Sequence, residues 1–196
     1  TPGSDNKYYK LNADIQGYYP LDREHRWVVS GKAGLGYANG FGGKRLPFYQ
    51  NYTAGGIGSL RGFANGAVGP QAIYWDPNNN AWVPNTDVIG GNAIATAGAE
   101  LIVPTPFVAD KSQNSVRTSF FVDAASVWNT KWKEQDKARF PNLPDYSKAN
   151  RIRASAGVGL QWQSPIGPLV FSYAKPIKKY QDDEIEQFQF SIGGSF

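Results

Sequence analysis

The chain has 196 residues, of which 41% are hydrophobic, 18% charged and 14% aromatic, with 22 Gly, 13 Pro and no Cys. A charged fraction below the roughly 25% of soluble domains, beside so much Gly and aromatic content, excludes a coiled coil or a disordered chain; the lack of Cys excludes a disulfide scaffold, a thiolate zinc site and a cysteine nucleophile. The net charge of +4 is small and spread through loops and strand faces, which argues against nucleic-acid binding.

The opening residues Thr1 to Asn6 read as a turn, as expected of a piece cut from a longer chain. From there the hydrophobic period is two almost everywhere. In the first segment Tyr9, Leu11, Ala13, Ile15, Gly17 and Tyr19 share one face, opposed by Lys10, Asn12, Asp14 and Gln16. The second sets Trp27, Val29, Ala33, Leu35 and Tyr37 against Ser30, Lys32 and Gly34. Leu46 to Ala54 reads as a weaker strand. Next come Ala93 to Val103, with Glu100 on its polar face, and Val116 to Trp128, with Arg117, Ser119, Phe121 and Asp123 on its polar face. Ile152 to Trp162, Pro168 to Pro176 and a last segment from Phe188 to Phe196 complete a count of eight strands. Short and long connections fall mostly at opposite ends of these strands. The long ones are 55–90, which exceeds the usual loop length by far, and the charged stretch 129–150. Lys131 to Arg139 within the latter is read as a loop, and Asp182 to Glu184 as a solvated one.

No stretch approaches the roughly 18 apolar residues of a membrane helix. An all-β, antiparallel transmembrane β-barrel is the expected fold, with strands of about ten residues whose outer face meets lipid and whose inner face is polar. A soluble β-sandwich would alternate in the same way, burying the apolar face. The aromatic ends of the apolar face, and a polar face rich in Gly, Ser and Gln, favour the membrane. No cofactor or metal is expected, and no enzyme activity: the single His25 lies in a turn away from any catalytic constellation. Two other functional classes remain, a passive pore or structural barrel, and a soluble carbohydrate-binding sandwich using Trp75, Trp82 and Trp132.

Three sets of residues carry a resemblance. The chain ends on Phe188, Phe190, Ile192, Gly193 and Phe196 in an alternating strand, similar to the C-terminal targeting signal of bacterial outer-membrane barrels, where a main-chain edge and alternate side chains are read together. The long connection holds Leu60, Arg61, Gly62 and Phe63. Glu100-Leu-Ile-Val-Pro-Thr-Pro-Phe107, Phe121-Val-Asp123 and Leu160-Gln-Trp-Gln-Ser-Pro-Ile-Gly-Pro-Leu-Val-Phe-Ser-Tyr173 add to these. Together they resemble, over the whole chain, the C-terminal half of the barrel of the BamA/TamA superfamily.

The resemblance implies the ninth to sixteenth strands of a sixteen-stranded insertase barrel in the bacterial outer membrane. It also implies POTRA domains, nascent outer-membrane proteins and Bam lipoproteins as partners of the full-length protein. Residues 1–196 would then be a single barrel unit lacking the POTRA domains and the first half of the barrel, and 55–90 an extracellular loop. In this family that loop folds back into the lumen, which would bring Arg61 against Glu100 and Asp123 beside Phe121; the last strand would form one side of a lateral gate. An isolated half-barrel would close on itself, pair with a second copy, or sit beside its missing half. Self-closure at eight strands is favoured because the number is even and every strand carries an apolar band. So small a lumen would then leave the Arg61 loop outside or disordered, and no insertase activity is expected of the bare chain.

Overall fold

The computed structural model describes residues 7–108, 115–141 and 143–193. Strands β1 (Tyr8–Pro20) and β2 (Val28–Gly40) form a hairpin in register from Tyr8↔Gly40 to Pro20↔Val28. The turn between them is fastened by the Trp27 N–H, which donates to Asp22 Oδ1 at 2.9 Å and holds that carboxyl below its ordinary pKa range. The chain then leaves the sheet for a long excursion. It contains β3 (Gly62–Phe63) and a hairpin of β4 (Gln71–Asp76) with β5 (Ala81–Val88) before the chain returns as β6 (Ala93–Val103). After β7 (Val116–Trp128) come a short helix α1 (Glu134–Arg139), then β8 (Arg153–Ser164), β9 (Gly167–Lys178), the short β10 (Ile185–Glu186) and β11 (Phe188–Ile192).

The main sheet has seven strands in the order β1-β2-β6-β7-β8-β9-β11, every neighbour antiparallel. Its long strands run to 13 residues, about 43 Å at the usual rise, and tilted by about 45° they cover a hydrocarbon layer of about 30 Å. The strand ends joined by 21–27, 104–115 and 165–166 lie at one end of the sheet, and those joined by 41–92, 129–152 and 179–187 at the other.

Burial separates the barrel reading from the sandwich reading. On β7 the polar-face residues Ser119, Phe121, Asp123 and Ala125 are buried, while Phe120 (53% exposed) and Val122 (49%) point outward. The same inversion holds on β2, β8 and β11, with Leu35, Val158, Leu160, Phe190 and Ile192 exposed on the apolar face, whereas nearly all of β1 is exposed on both faces. The packed interior is the returning excursion, whose Ala54, Leu60, Phe63 and Val68 meet Ala125 and Val127. A contiguous apolar exterior around a polar, filled interior is the inverse of a soluble sandwich. Cross-strand pairs stiffen that exterior: Phe190 lies opposite Phe171 with ring centroids 4.9 Å apart, and the Tyr9 and Tyr37 rings sit 6.2 Å apart toward the long-connection end.

Four expectations are corrected. First, Leu46 to Ala54 is not a sheet strand. Pro47 opens a 3₁₀ turn over Phe48–Gln50, and among the described residues the segment's strand-like pairing is limited to isolated bridges such as Tyr52↔Gly91 and Ala54↔Val68. Proline removes a ladder donor, and the run around it lacks alternation.

Second, the sheet is not a self-closed eight-stranded barrel among the described residues: β1 pairs with β2 alone and β11 with β9 alone. The excursion occupies the polar side, and a barrel of eight has room inside for little more than its own side chains. The Arg61 segment lies on the polar side of this open sheet, and its expulsion was expected only of a closed barrel of eight.

Third, 134–139 is a helix rather than loop, its first turn secured by the Lys133 N–H donating to Asp136 Oδ2 at 2.9 Å. Fourth, Asp183 is not solvated but buried in an ion pair with Arg153. The chain termini 1–6 and 194–196, and with them Phe196, lie outside the described residues.

A candidate functional site where the long excursion meets the barrel wall

A compact turn delivers Arg61. The Ser59 hydroxyl accepts from the Gly55 N–H and donates to the Gly55 carbonyl, both at 3.0 Å, while the Leu60 N–H reaches the Gly56 carbonyl at 3.1 Å. Leu60 and Phe63 turn into the excursion's apolar core, fully buried, so the guanidinium between them is aimed the other way, at the strands.

There it meets two carboxylates. Arg61 Nε donates to Asp123 Oδ2 at 2.6 Å and its Nη2 to Asp123 Oδ1 at 2.9 Å, a bidentate fork. Both terminal nitrogens also reach Glu100 Oε2 at 3.3 Å, and the Arg61 backbone N–H adds a contact of 3.3 Å to Asp123. The guanidinium carbon lies 3.3 Å from the centroid of the Phe121 ring, a stacked cation–π contact that lysine's point charge would not reproduce. Arg61 and Asp123 are both 0% exposed. The desolvation of both charges is offset by this set of short bonds, so loss of one partner would strand the other in a dry site.

The next residue reaches the opposite side of the fold. Gly62 has φ +88°, and a Cβ there would come within 2.9 Å of the Ala174 side chain on β9, so the close approach and the left-handed backbone both call for glycine. Its N–H donates to Gln189 Oε1 at 3.3 Å, and Gln189 Nε2 donates back to the Phe63 carbonyl at 2.8 Å. Consecutive residues therefore touch β6, β7, β9 and β11. In a flat sheet β6 and β11 would lie four spacings apart, about 19 Å, so the sheet curls around this motif.

A second lock holds the connection before β11. Arg153 on β8 forms a fork with Asp183, Nε at 3.1 Å from each oxygen and Nη2 at 2.9 Å from Oδ1. Asp183 Oδ2 also accepts from the Tyr180 N–H at 2.7 Å, and the Tyr180 ring lies within 4.7 Å of the Arg153 guanidinium carbon. The following residues pair with the motif: Ile185↔Phe63 and Glu186↔Gly62, with the Ala64 N–H donating to the Glu184 carbonyl at 3.0 Å. Asp183→Asn should therefore loosen 179–187 and the motif beside it. With both side chains of this pair almost fully buried, the cost is about 3 to 5 kcal/mol, read as faster amide exchange over 179–187 and 60–64 with the β7–β8 ladder unchanged.

The sequence reading thus placed Leu60 to Phe63, Glu100, Phe121 and Asp123 at one locus, and the structure brings all of them together. Phe188, Phe190 and Ile192 lie elsewhere, exposed on the outer face of β11, with Gly193 following at φ 78°. Gln189, Arg153 and Asp183 were missed as site residues. Alternation assigned Gln189 and Arg153 to the polar face, a signal that marked their side without naming their partners.

A family model for the Omp85 superfamily domain matches residues 1–196. The chain belongs to the Omp85 superfamily. It is 35% identical over its whole length to the outer membrane protein assembly factor BamA of Neisseria meningitidis serogroup B, and covers 25% of that protein. It is also 28% identical, over 99% of its length, to the mouse sorting and assembly machinery component 50 homolog, covering 38% of it. The crystal structure of BamA from Haemophilus ducreyi lacking POTRA domains 1-3 superposes with a TM-score of 0.90 at 63% identity, across 97% of this chain and 35% of that one. The chain thus spans between 25% and 38% of the length of these Omp85 relatives.

Proposed function

We propose that this chain works in the bacterial outer membrane as the part of a β-barrel assembly factor that carries its last strand and its folded-back loop. Names of the Omp85 relatives support the membrane and the assembly role. The observation that carries the reading for these residues is the Arg61–Gly62 junction, which joins the wall strands β6 and β7 to the edge strand β11. A loop so fastened sets the curvature of the wall and the position of its last strand, the strand at which a client barrel would be templated by main-chain pairing.

In this reading residues 1–196 act as one transmembrane unit with 55–90 on the extracellular side. Lipid covers the apolar face, and the full-length protein engages nascent outer-membrane proteins and lipoprotein partners. No catalytic chemistry is assigned.

The test uses the full-length protein in liposomes with a client barrel. Gln189→Leu, which removes the tie between motif and edge strand, should slow client folding several-fold, and the 1–196 chain alone should give no acceleration. Unchanged client folding by the Gln189 variant would overturn the proposed coupling, and rapid folding by the bare chain would overturn the division of labour. A passive pore would instead give steady, large conductance steps in planar bilayers, which the packed excursion leaves little room for.

The lipid contact has its own measurement. Val122 is the middle residue of β7 and points outward. Val122→Arg is expected to destabilise folding into bilayers by about 2 to 4 kcal/mol, and the same change at Trp128, near the strand end, by about 0 to 1 kcal/mol. Equal costs in a denaturant titration would argue against a membrane midplane at Val122.

A further inference from the structure

At the long-connection end a cleft of about 870 Å³ opens between the segment following β2 and the segment following β7. Among the described residues its walls carry Lys44, Arg45, Lys131 and Lys133 against one carboxylate, Asp136. No hydrogen bond or ion pair to a carboxylate occupies the side chains of these four cations among the described residues, whereas the buried arginines 61 and 153 are both paired with carboxylates. Asp136 is engaged in accepting the Lys133 N–H.

The walls are pinned. Gly42 and Gly43, at φ 63° and 77°, make a tight turn that only glycine adopts readily at both positions, and it sets Lys44 and Arg45 on one rim. Asn92 ties the two walls together, donating to the Ala38 carbonyl at 3.1 Å and to the Thr130 hydroxyl at 2.8 Å and accepting from the Thr130 N–H at 2.8 Å. On the other rim Trp132 is held between Phe140, stacked at 6.0 Å, and Tyr146, edge-on at 5.5 Å. Burial pushes the Tyr146 phenol pKa up.

Unpaired cations on fixed walls favour a polyanion, and an aromatic side chain with nearby carboxamides, Asn51 and Asn129, suits the apolar faces and hydroxyls of a sugar. We infer that this cleft binds a phosphorylated saccharide. Lys44, Arg45, Lys131 and Lys133 would meet the phosphates and Trp132 the sugar ring. The site stands apart from the Arg61 locus and does not depend on the assembly role proposed above.

The test uses the full-length protein in detergent micelles, titrated by intrinsic tryptophan fluorescence with a soluble bis-phosphorylated glucosamine disaccharide. Parallel titrations use the unphosphorylated disaccharide, an oligoglutamate peptide, and phosphatidylcholine vesicles bearing the acylated bis-phosphorylated disaccharide. Saturable, salt-sensitive binding of the phosphorylated disaccharide is expected, weakened at least tenfold by Lys131→Gln with Lys133→Gln and again by Lys44→Gln with Arg45→Gln. Lys148→Gln, on the same side of the molecule but outside the cleft, should leave it unchanged. Heat-modifiable gel migration checks that each variant is folded; if one pair fails that check, the other pair carries the comparison. Tighter binding to the vesicles would identify a membrane headgroup as the source, and equal or weaker binding a free saccharide. Absence of binding, equal binding by the fourfold glutamine variant, or equal binding of the unphosphorylated sugar or the peptide would overturn the inference.

Discussion

Reversing Asp123 to Arg in the full-length protein is expected to undock the Arg61 motif and stop barrel insertion. The pair is fully buried, with a bidentate fork at 2.6 and 2.9 Å. Removing one member of such a pair costs about 3 to 5 kcal/mol, because the other is left charged in a dry site. Reversal costs at least as much, since two guanidinium groups then face each other over the Phe121 ring. A loss of that size lowers the docked population about a hundredfold or more. Arg61→Asp alone should do the same, placing three carboxylates together with Glu100.

The double reversal should recover part of the loss. Recovery stays incomplete because Glu100, 3.3 Å from the guanidinium in the native protein, would then face the new carboxylate. Two readouts separate docking from folding: protease cleavage within 55–70, and insertion of a client barrel. If neither single reversal changes insertion, and the double is no better than either, the pairing does not matter to function.

The second large effect concerns the strand edges. The chain by itself in lipid should be found associated through β1 and β11 with another polypeptide rather than as a lone sheet. β1 has 13 residues and among the described residues pairs only with β2. An antiparallel edge directs the N–H and C=O of alternate residues outward, here roughly six residues. Each unsatisfied group in hydrocarbon costs several kcal/mol, so one bare edge carries a penalty of tens of kcal/mol.

Pairing with a second copy or with further barrel strands would remove that penalty; self-closure would require expelling a motif held by both ion pairs. Cross-linking followed by heat-modifiable gel migration should therefore give a folded species of at least twice the chain mass. A folded monomer whose motif has become protease-sensitive would mean instead that the chain closes by ejecting its loop.

Much of this was legible from the residues. Period-two alternation is a local property of the chain, so it located the seven long or edge segments of the main sheet, assigned their faces and put Glu100 and Asp123 on the polar side. It failed at Leu46 to Ala54, where aromatic content resembled a strand but Pro47 broke the ladder. It also left Lys131 to Arg139 as a loop, because six helical residues give too short a pattern to stand out. Arg61 was singled out through a family motif, and alternation independently supplied the polar face on which its two carboxylates lie.

The remainder depended on residues far apart in the chain. Gln189 meets Phe63 across 126 positions and Arg153 meets Asp183 across 30, and no local pattern encodes either. Whether the sheet closes was likewise invisible, because strand count describes the wall and says nothing of what fills it. The sequence by itself determined which residues make strands and which way each faces, since both follow from backbone geometry repeated every two residues. Only the tertiary structure decided what fills the polar side, that β1 and β11 keep free edges among the described residues, and which charges meet, because those outcomes depend on the excursion folded back against the wall.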